Sequence, residues 1–224
     1  MHLRALILAT ATFLALSAVA SADDINVAGR SLSLAPPEGA CAYDRNNEFD
    51  AAVMKRVEDA QEGLNKVVLQ FGRCEEFPRW RMGGIPFSQF GQIMLPLSYP
   101  GAPQPLPLSR KEYLNLMASQ IPQLNDADIQ RIEVELNGKV EDARIKGSQL
   151  LGILDRDENA LYVGFLGVLE IDGKSFPQTG IGAVTMLGSI PVSVNLYSPV
   201  GEGAFDKLID AQKVYVAELI RRNP

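Results

Sequence analysis

Histidine is almost absent from this chain. Among 224 residues there is one, His2, and it stands at the head of an apolar leader. Once that leader is removed, histidine metal ligands, Ser-His and Cys-His nucleophile pairs and histidine acid–base chemistry are all excluded. Cysteine is nearly as scarce. Cys41 and Cys74 are the only two, and their 33-residue spacing rules out a C-x-x-C redox site. Two sulfurs without histidine also make a poor zinc site. Beyond the leader no window holds 18 uninterrupted apolar residues, so nothing else in the sequence is built to cross a bilayer. No P-loop, G-x-S-x-G elbow or S-x-x-K motif is present. No run of Lys or Arg interleaves with aromatics, which disfavours nucleic acid as a partner.

What is present begins with an export signal. Arg4 supplies the basic start, Ala5 to Ala20 the apolar stretch, and Ala20-Ser21-Ala22 the small-x-small cleavage pattern. Cleavage after Ala22 gives a mature chain of residues 23–224, read as a single domain, periplasmic or secreted, and not membrane-spanning. Arg4 leaves with the signal, so 20 basic residues face 27 acidic ones, a net charge of −7. That surface repels phosphate backbones and lacks a basic face for lipid. In an exported protein the two cysteines are expected to pair. Closing their loop restricts the unfolded chain by roughly 3.5 to 4 kcal/mol in the chain-entropy model.

Along the mature chain, Ile25 to Leu34 alternates apolar and polar residues around Ala28-Gly29, a short hairpin or two edge strands. Asn46 or Asn47 caps a helix whose stripe is Phe49, Val53, Val57, Ala60 and Leu64. Lys66 to Phe71 reads as a strand, and Gln92 to Tyr99 as another. The prolines at 100, 103, 105 and 107 make an extended surface loop. Ser109-Arg110-Lys111-Glu112 has capping-box spacing for a helix over about 110–120. Pro122 interrupts it, and Asn125 caps a second helix with Ile129, Ile132 and Leu136 on one face, closed by Gly138. Gln149–Leu154, Leu161–Ile171, Ile181–Leu187 and Val192–Tyr197 are strands joined by short turns, an antiparallel meander. A helix from about Ala204 to Arg222 turns Phe205, Leu208, Ile209, Gln212, Tyr215, Val216, Leu219 and Ile220 to one side.

Strands segregated from helices define an α+β fold, an antiparallel sheet with a C-terminal four-strand meander and helices packed on it. The segments Leu32-Ser33-Leu34-Ala35-Pro36-Pro37-Glu38-Gly39 and Ile190-Pro191-Val192-Ser193-Val194-Asn195-Leu196-Tyr197, with the order of elements between them, resemble the PsbP/Mog1-like αβα sandwich. The resemblance implies accessory or binding proteins without a shared catalytic site. The disulfide and the insert at 74–108 are not part of that pattern.

Several motifs invite chemistry. Asp155-x-Asp157-x-Asn159 has the first three positions of an EF-hand loop, but Ala160 stands where Gly is needed and Leu166 where Glu is needed; a solvated hairpin turn accounts for it. Phe176-Pro177-Gln178-Thr179-Gly180 is read as a turn between strands, and Gly201-x-Gly203 as a flexible entry to the last helix. Glu75-Glu76, beside Arg79, Trp80 and Arg81, offers a carboxylate pair for glycan hydrolysis without histidine. The same segment supports binding better. Phe77, Arg79, Trp80, Arg81, Phe87 and Phe90, anchored by Cys74, have the aromatic and arginine composition of interface centres. The expectation is a non-enzymatic binding or accessory protein that needs no cofactor and holds no metal. It would take an envelope protein partner or a small apolar ligand through residues 74–108 against the sheet.

Overall fold

The computed structural model describes residues 23–83, 87–98, 101–139, 143–171 and 173–224. The leader and its cleavage site lie outside the described residues, as do Pro86, Tyr99 and Pro100. Strands β1 (Asp23–Val27) and β2 (Arg30–Leu34) form a hairpin. Ala28 and Gly29 both take positive φ at its turn, as a type I′ connection requires, and the Asn26 side chain accepts from the Gly29 N–H. The hairpin stands apart from the main sheet, yet Val27, Leu32 and Leu34 are buried in its core.

The main sheet takes its strands from the rest of the chain. β3 (Ala40–Ala42) leads to helix α1 (Glu48–Gln61), capped by Asn47, and then to β4 (Asn65–Arg73). A 3-10 turn at Cys74–Glu76 runs into the short helix α2 (Phe77–Arg81), followed by β5 (Phe90–Pro96). Helices α3 (Arg110–Gln120) and α4 (Asp126–Asn137) come next, both with complete capping boxes. The meander is β6 (Ala143–Arg156), β7 (Leu161–Ile171), β8 (Lys174–Leu187) and β9 (Ile190–Pro199), and α5 (Ala204–Arg222) ends the chain. Strand order is β3-β4-β5-β9-β8-β7-β6, antiparallel throughout. The fold is α+β.

Paired residues share a face of the pleat, so register sorts the core. One face is sealed by α5. Ile93, Leu95, Ile181, Val194 and Leu196 lie there beneath Leu208, Tyr215, Val216 and Leu219, each at most 3% exposed. Burying each such side chain contributes about 1.5 to 3 kcal/mol. Tyr215 also donates its hydroxyl to the Ala35 carbonyl at 2.7 Å. The opposite face carries the other helices. There α3 brings Tyr113 and Leu114 onto Leu161, Val163 and Met186, α1 lies on β4, and α4 lies on β6. No helix among the described residues is long and apolar enough to cross a membrane.

Three details depart from the sequence reading. Phe176–Gly180 is not a turn but part of β8, which begins at Lys174. A proline fits there because β9 ends opposite Gln178, so the N–H that Pro177 lacks is not wanted by that neighbour. Helix α1 buries Asp50 and Met54, while Phe49, Val53, Val57, Ala60 and Leu64 are only half-buried. The helix is rolled toward a carboxylate that periodicity counts as polar. In α4 no residue is fully buried and Ile132 is 38% exposed, so its apolar stripe meets the sheet only at the margin.

Candidate functional site

The segment singled out by composition is clamped from both ends. Cys41 and Cys74 are disulfide-bonded, and the Cys74 N–H donates to the Gly39 carbonyl. Arg81 donates Nε to Asp50 Oδ1 at 3.1 Å and Nη2 to Asp50 Oδ2 at 2.5 Å, and Asp50 is fully buried. This bond raises the guanidinium pKa further, and the same group lies 4.9 Å over the Phe77 ring. Between the clamps sits an aromatic cluster. Tyr43 meets Phe77 at 5.4 Å, Phe77 meets Phe87 at 4.9 Å, and Trp80 meets Phe87 at 5.0 Å and Phe49 at 5.2 Å, mostly edge-on. Gly72 is the floor: a Cβ there would come within 2.7 Å of the Phe87 ring. Burial and the nearby Asp50 carboxylate hold the Tyr43 phenol far above its ordinary pKa.

The structure therefore brings Phe77, Trp80, Arg81 and Phe87 together as a satellite core. Arg79 is exposed beside them, with Met82 at 79% exposure. Glu75 pairs with Arg73, and its own backbone hydrogen bond, followed by this pairing, holds its carboxyl below the usual range. Glu76 accepts from the Ser88 N–H. Both carboxylates thus have local structural partners. Asp157 likewise accepts from the N–H groups of Asn159 and Ala160 and from the Tyr162 hydroxyl, closing the β6–β7 hairpin. Among the described residues no group of three or more His, Cys, Asp or Glu is placed to hold a metal ion.

Phe90 goes elsewhere. It stacks on Tyr197 with centroids 4.9 Å apart and planes 13° from parallel, and Phe165 meets Tyr197 edge-on at 5.4 Å. Register explains the row: Phe90 pairs with Tyr197, Tyr197 with Gly180, and Gly180 with Phe165. The Phe165 ring lies across Gly180, where a Cβ would approach it to 2.0 Å. The next rung on this face is Gln92, Asn195, Gly182 and Val163, and the one after is Met94, Ser193, Val184 and Leu161. Nothing in these rungs is charged. Phe90, Gln92, Met94, Phe165, Ser193 and Tyr197 are half-buried, whereas the reverse face of the same strands is sealed. Helix α3 covers the β7–β8 end of the last two rungs, at Val163, Leu161 and Val184, while α1 lies on β4 and α4 on β6.

Polar groups on the strip are incompletely matched. Gln92 donates Nε2 to the Tyr197 hydroxyl at 3.1 Å, and burial raises that phenol's pKa to about 12. Ser193 donates to Asn195 Oδ1, but Asn195 Nδ2 has no partner, and neither has Gln178 Oε1. Both residues are more than nine-tenths buried. An unmade hydrogen bond on a buried amide costs about 1 to 3 kcal/mol, so such groups ask for a reason. An open cleft of about 370 Å³ between the hairpin and the C-terminus is lined by Asp24, Arg30, Ser31, Ser33, Arg222 and Asn223, of which Asn223 bonds Ser33 and Arg222 bonds Glu218. Composition missed Gln92, Phe165, Gln178, Asn195 and Tyr197. The signal was the alternation Ser193-Val194-Asn195-Leu196-Tyr197, which already sets three polar or amphipathic residues on one face.

The topology is that of an α+β protein with one antiparallel sheet and helices on both faces. No family model matches the chain, and no curated protein matches it. A solved structure to which it is similar is the Ran-binding protein Mog1p of Saccharomyces cerevisiae, at 12% identity over 92% of this chain and 95% of that one, with a TM-score of 0.33. The fold assignment rests on the strand order, not on that likeness.

Proposed function

We propose that the chain is an exported, non-catalytic binding protein that holds an uncharged ligand on the half-open strip of β5, β8 and β9. The observation that carries this reading is the contrast between two faces of the same strands. Under α5 they are sealed; on the other side they present a stacked aromatic row that is only half-buried. Ligand sites combine apolar surface with a few polar groups that fix orientation, and the strip has that composition. The disulfide-clamped cluster of Phe77, Trp80 and Phe87 borders it, since β5 starts at Phe90. The leader, the acidic mature surface and the disulfide support export to the periplasm or beyond. The alternative, a hydrolase working with two carboxylates, draws no support from Glu75 and Glu76, which are occupied as described.

Native mass spectrometry of the protein purified from the envelope fraction of its own host tests this. The expected result is a retained extra mass that Phe90→Ala loses. The denatured mass should begin at Asp23 and be two hydrogens short. A bare monomer mass in the wild-type protein, with no ligand transferred from a fresh envelope extract, contradicts the reading.

A further inference from the structure

The β1–β2 hairpin keeps one free edge, and that edge lines the open cleft beside the C-terminus. We propose that the cleft binds the C-terminal end of an extended peptide, at a site separate from the strip. Asn223, just past α5, accepts from the Ser33 N–H at 2.7 Å and donates Nδ2 to the Ser33 carbonyl at 3.0 Å. Its side-chain amide thus stands where the peptide group of a neighbouring strand would stand. Both Ser33 groups therefore point away from β1, and in an antiparallel ladder such outward pairs recur at every second residue. The next is Ser31, which sits opposite Asn26 across the hairpin. Its N–H and C=O turn to the same edge, on the cleft, and have no partner among the described residues. Only this rung is open. Asn223 fills the Ser33 rung, and in the other direction the chain turns at Ala28 and Gly29. A long partner strand cannot pair over several residues here; a chain end can.

Charge selects which end. Arg30 is exposed on the wall of the cleft and forms no ion pair among the described residues. Arg222 gives Nε to Glu218 at 2.8 Å and keeps both Nη groups for another partner. Asp24 is the one acidic side chain on the wall, and it stands opposite Ser33, at the filled rung. Two arginines against one aspartate leave the lining side chains at +1, on a mature chain of net charge −7. A free amino end would meet two guanidinium groups and is disfavoured. An α-carboxylate fits the guanidinium fork with paired hydrogen bonds, and the peptide group behind it supplies the acceptor and donor that Ser31 lacks. Main-chain pairing at a sheet edge and capture of a terminal carboxylate are both established ways of holding extended peptides. The volume of about 370 Å³ falls in the range of small-ligand pockets, roughly 300 to 1,000 Å³, and so suits a chain end.

The probe is a random hexapeptide library with free C-termini, immobilised through its N-termini and screened against the full mature chain. Selected peptides are then measured in solution by fluorescence polarisation, each beside its C-terminal amide. Binders should emerge, and amidation should weaken them tenfold or more. Arg30→Gln and Ser31→Pro should each do the same. Ser31→Pro removes an N–H that points out of the hairpin, a place where an edge strand tolerates proline, so it should melt as wild type does and its loss of binding is not a loss of folding. Phe90→Ala, which tests the strip, should leave peptide binding unchanged. A library that yields no binder overturns the inference, as do peptides that bind equally well as amides or equally to both cleft variants. Loss in Arg30→Gln without loss in Ser31→Pro removes the strand-edge pairing and overturns it too. Loss in Phe90→Ala places the peptide on the strip and contradicts a separate site, while leaving the binding reading of the strip in force.

Discussion

Asp50 and Arg81 show how one residue pair decides the placement of a whole segment. Asp50 is the buried N-terminal carboxylate of α1, and it accepts from the Asp44 N–H as well as from Arg81. Removing the cation strands a desolvated charge. Arg81→Ala should therefore cost about 3 kcal/mol in urea unfolding, at the lower end for a broken buried pair because Arg81 is one-third exposed. The double variant Asp50→Leu, Arg81→Met should recover much of that loss, since hydrophobic replacements of a buried pair are often tolerated. A double variant as unstable as the single one contradicts this account. Arg79, exposed two residues earlier, should tolerate alanine within about 0.5 kcal/mol. Sequence composition does not separate these two arginines. Only the partner 31 residues upstream does.

Among elements, the segment from Cys74 to Phe90 depends on its covalent tether. Its own helix is five residues long, too short to hold shape by itself. Replacing Cys41 and Cys74 by serine should lower unfolding stability by roughly 2 to 4 kcal/mol. It should also open the aromatic cluster, seen as a red shift of Trp80 emission under native conditions. Unchanged emission would show that the aromatic contacts and the Asp50 clamp hold the segment unaided. Elements differ in how far they could be read in advance. Helix α5 was legible in full, because its burial follows the 3.6 period from Phe205 to Ile220 and its charges suit its ends. The meander was legible in order but not in length. Strands β6 and β8 run on through Gly147 and Pro177, residues that normally signal breaks, and β6 passes through Gly152 within its length. In β6 they mark bulges instead, where register shifts around Gly147 and Gly152. Phe90 was grouped with the aromatics of the clamped segment, yet it stacks on Tyr197, more than 100 residues away, with Phe165 beyond it. Only strand order could join them.

For the whole molecule, the two faces of one sheet are covered differently. The α5 face supplies most of the sealed core, and the helix-flanked face is interrupted by an uncharged strip. Two phenols on that second side report its state. Burial raises the pKa of Tyr113 and Tyr197 to about 12 each, above the ordinary value near 10. Between those limits the folded state keeps these two protons, and those of Tyr43, Tyr162 and Tyr215, whose pKa burial raises further, while the unfolded state releases them, so stability should be intact below about pH 10 and fall as pH rises toward 12. Urea midpoints measured from pH 8 to 11.5 should hold and then decline, with tyrosinate absorbance lagging behind that of the unfolded chain. A flat profile would contradict the burial of these five phenols.

The claim on which the rest depends is that the strip, and not the clamped cluster, receives the ligand. Chemical-shift mapping by heteronuclear NMR during titration with the envelope-derived ligand tests it most directly. The account predicts shifts concentrated at Phe90, Gln92, Gln178, Asn195 and Tyr197, with the residues under α5 unmoved. Shifts confined to Arg79, Trp80 and Met82 would place binding on the clamped segment and contradict it.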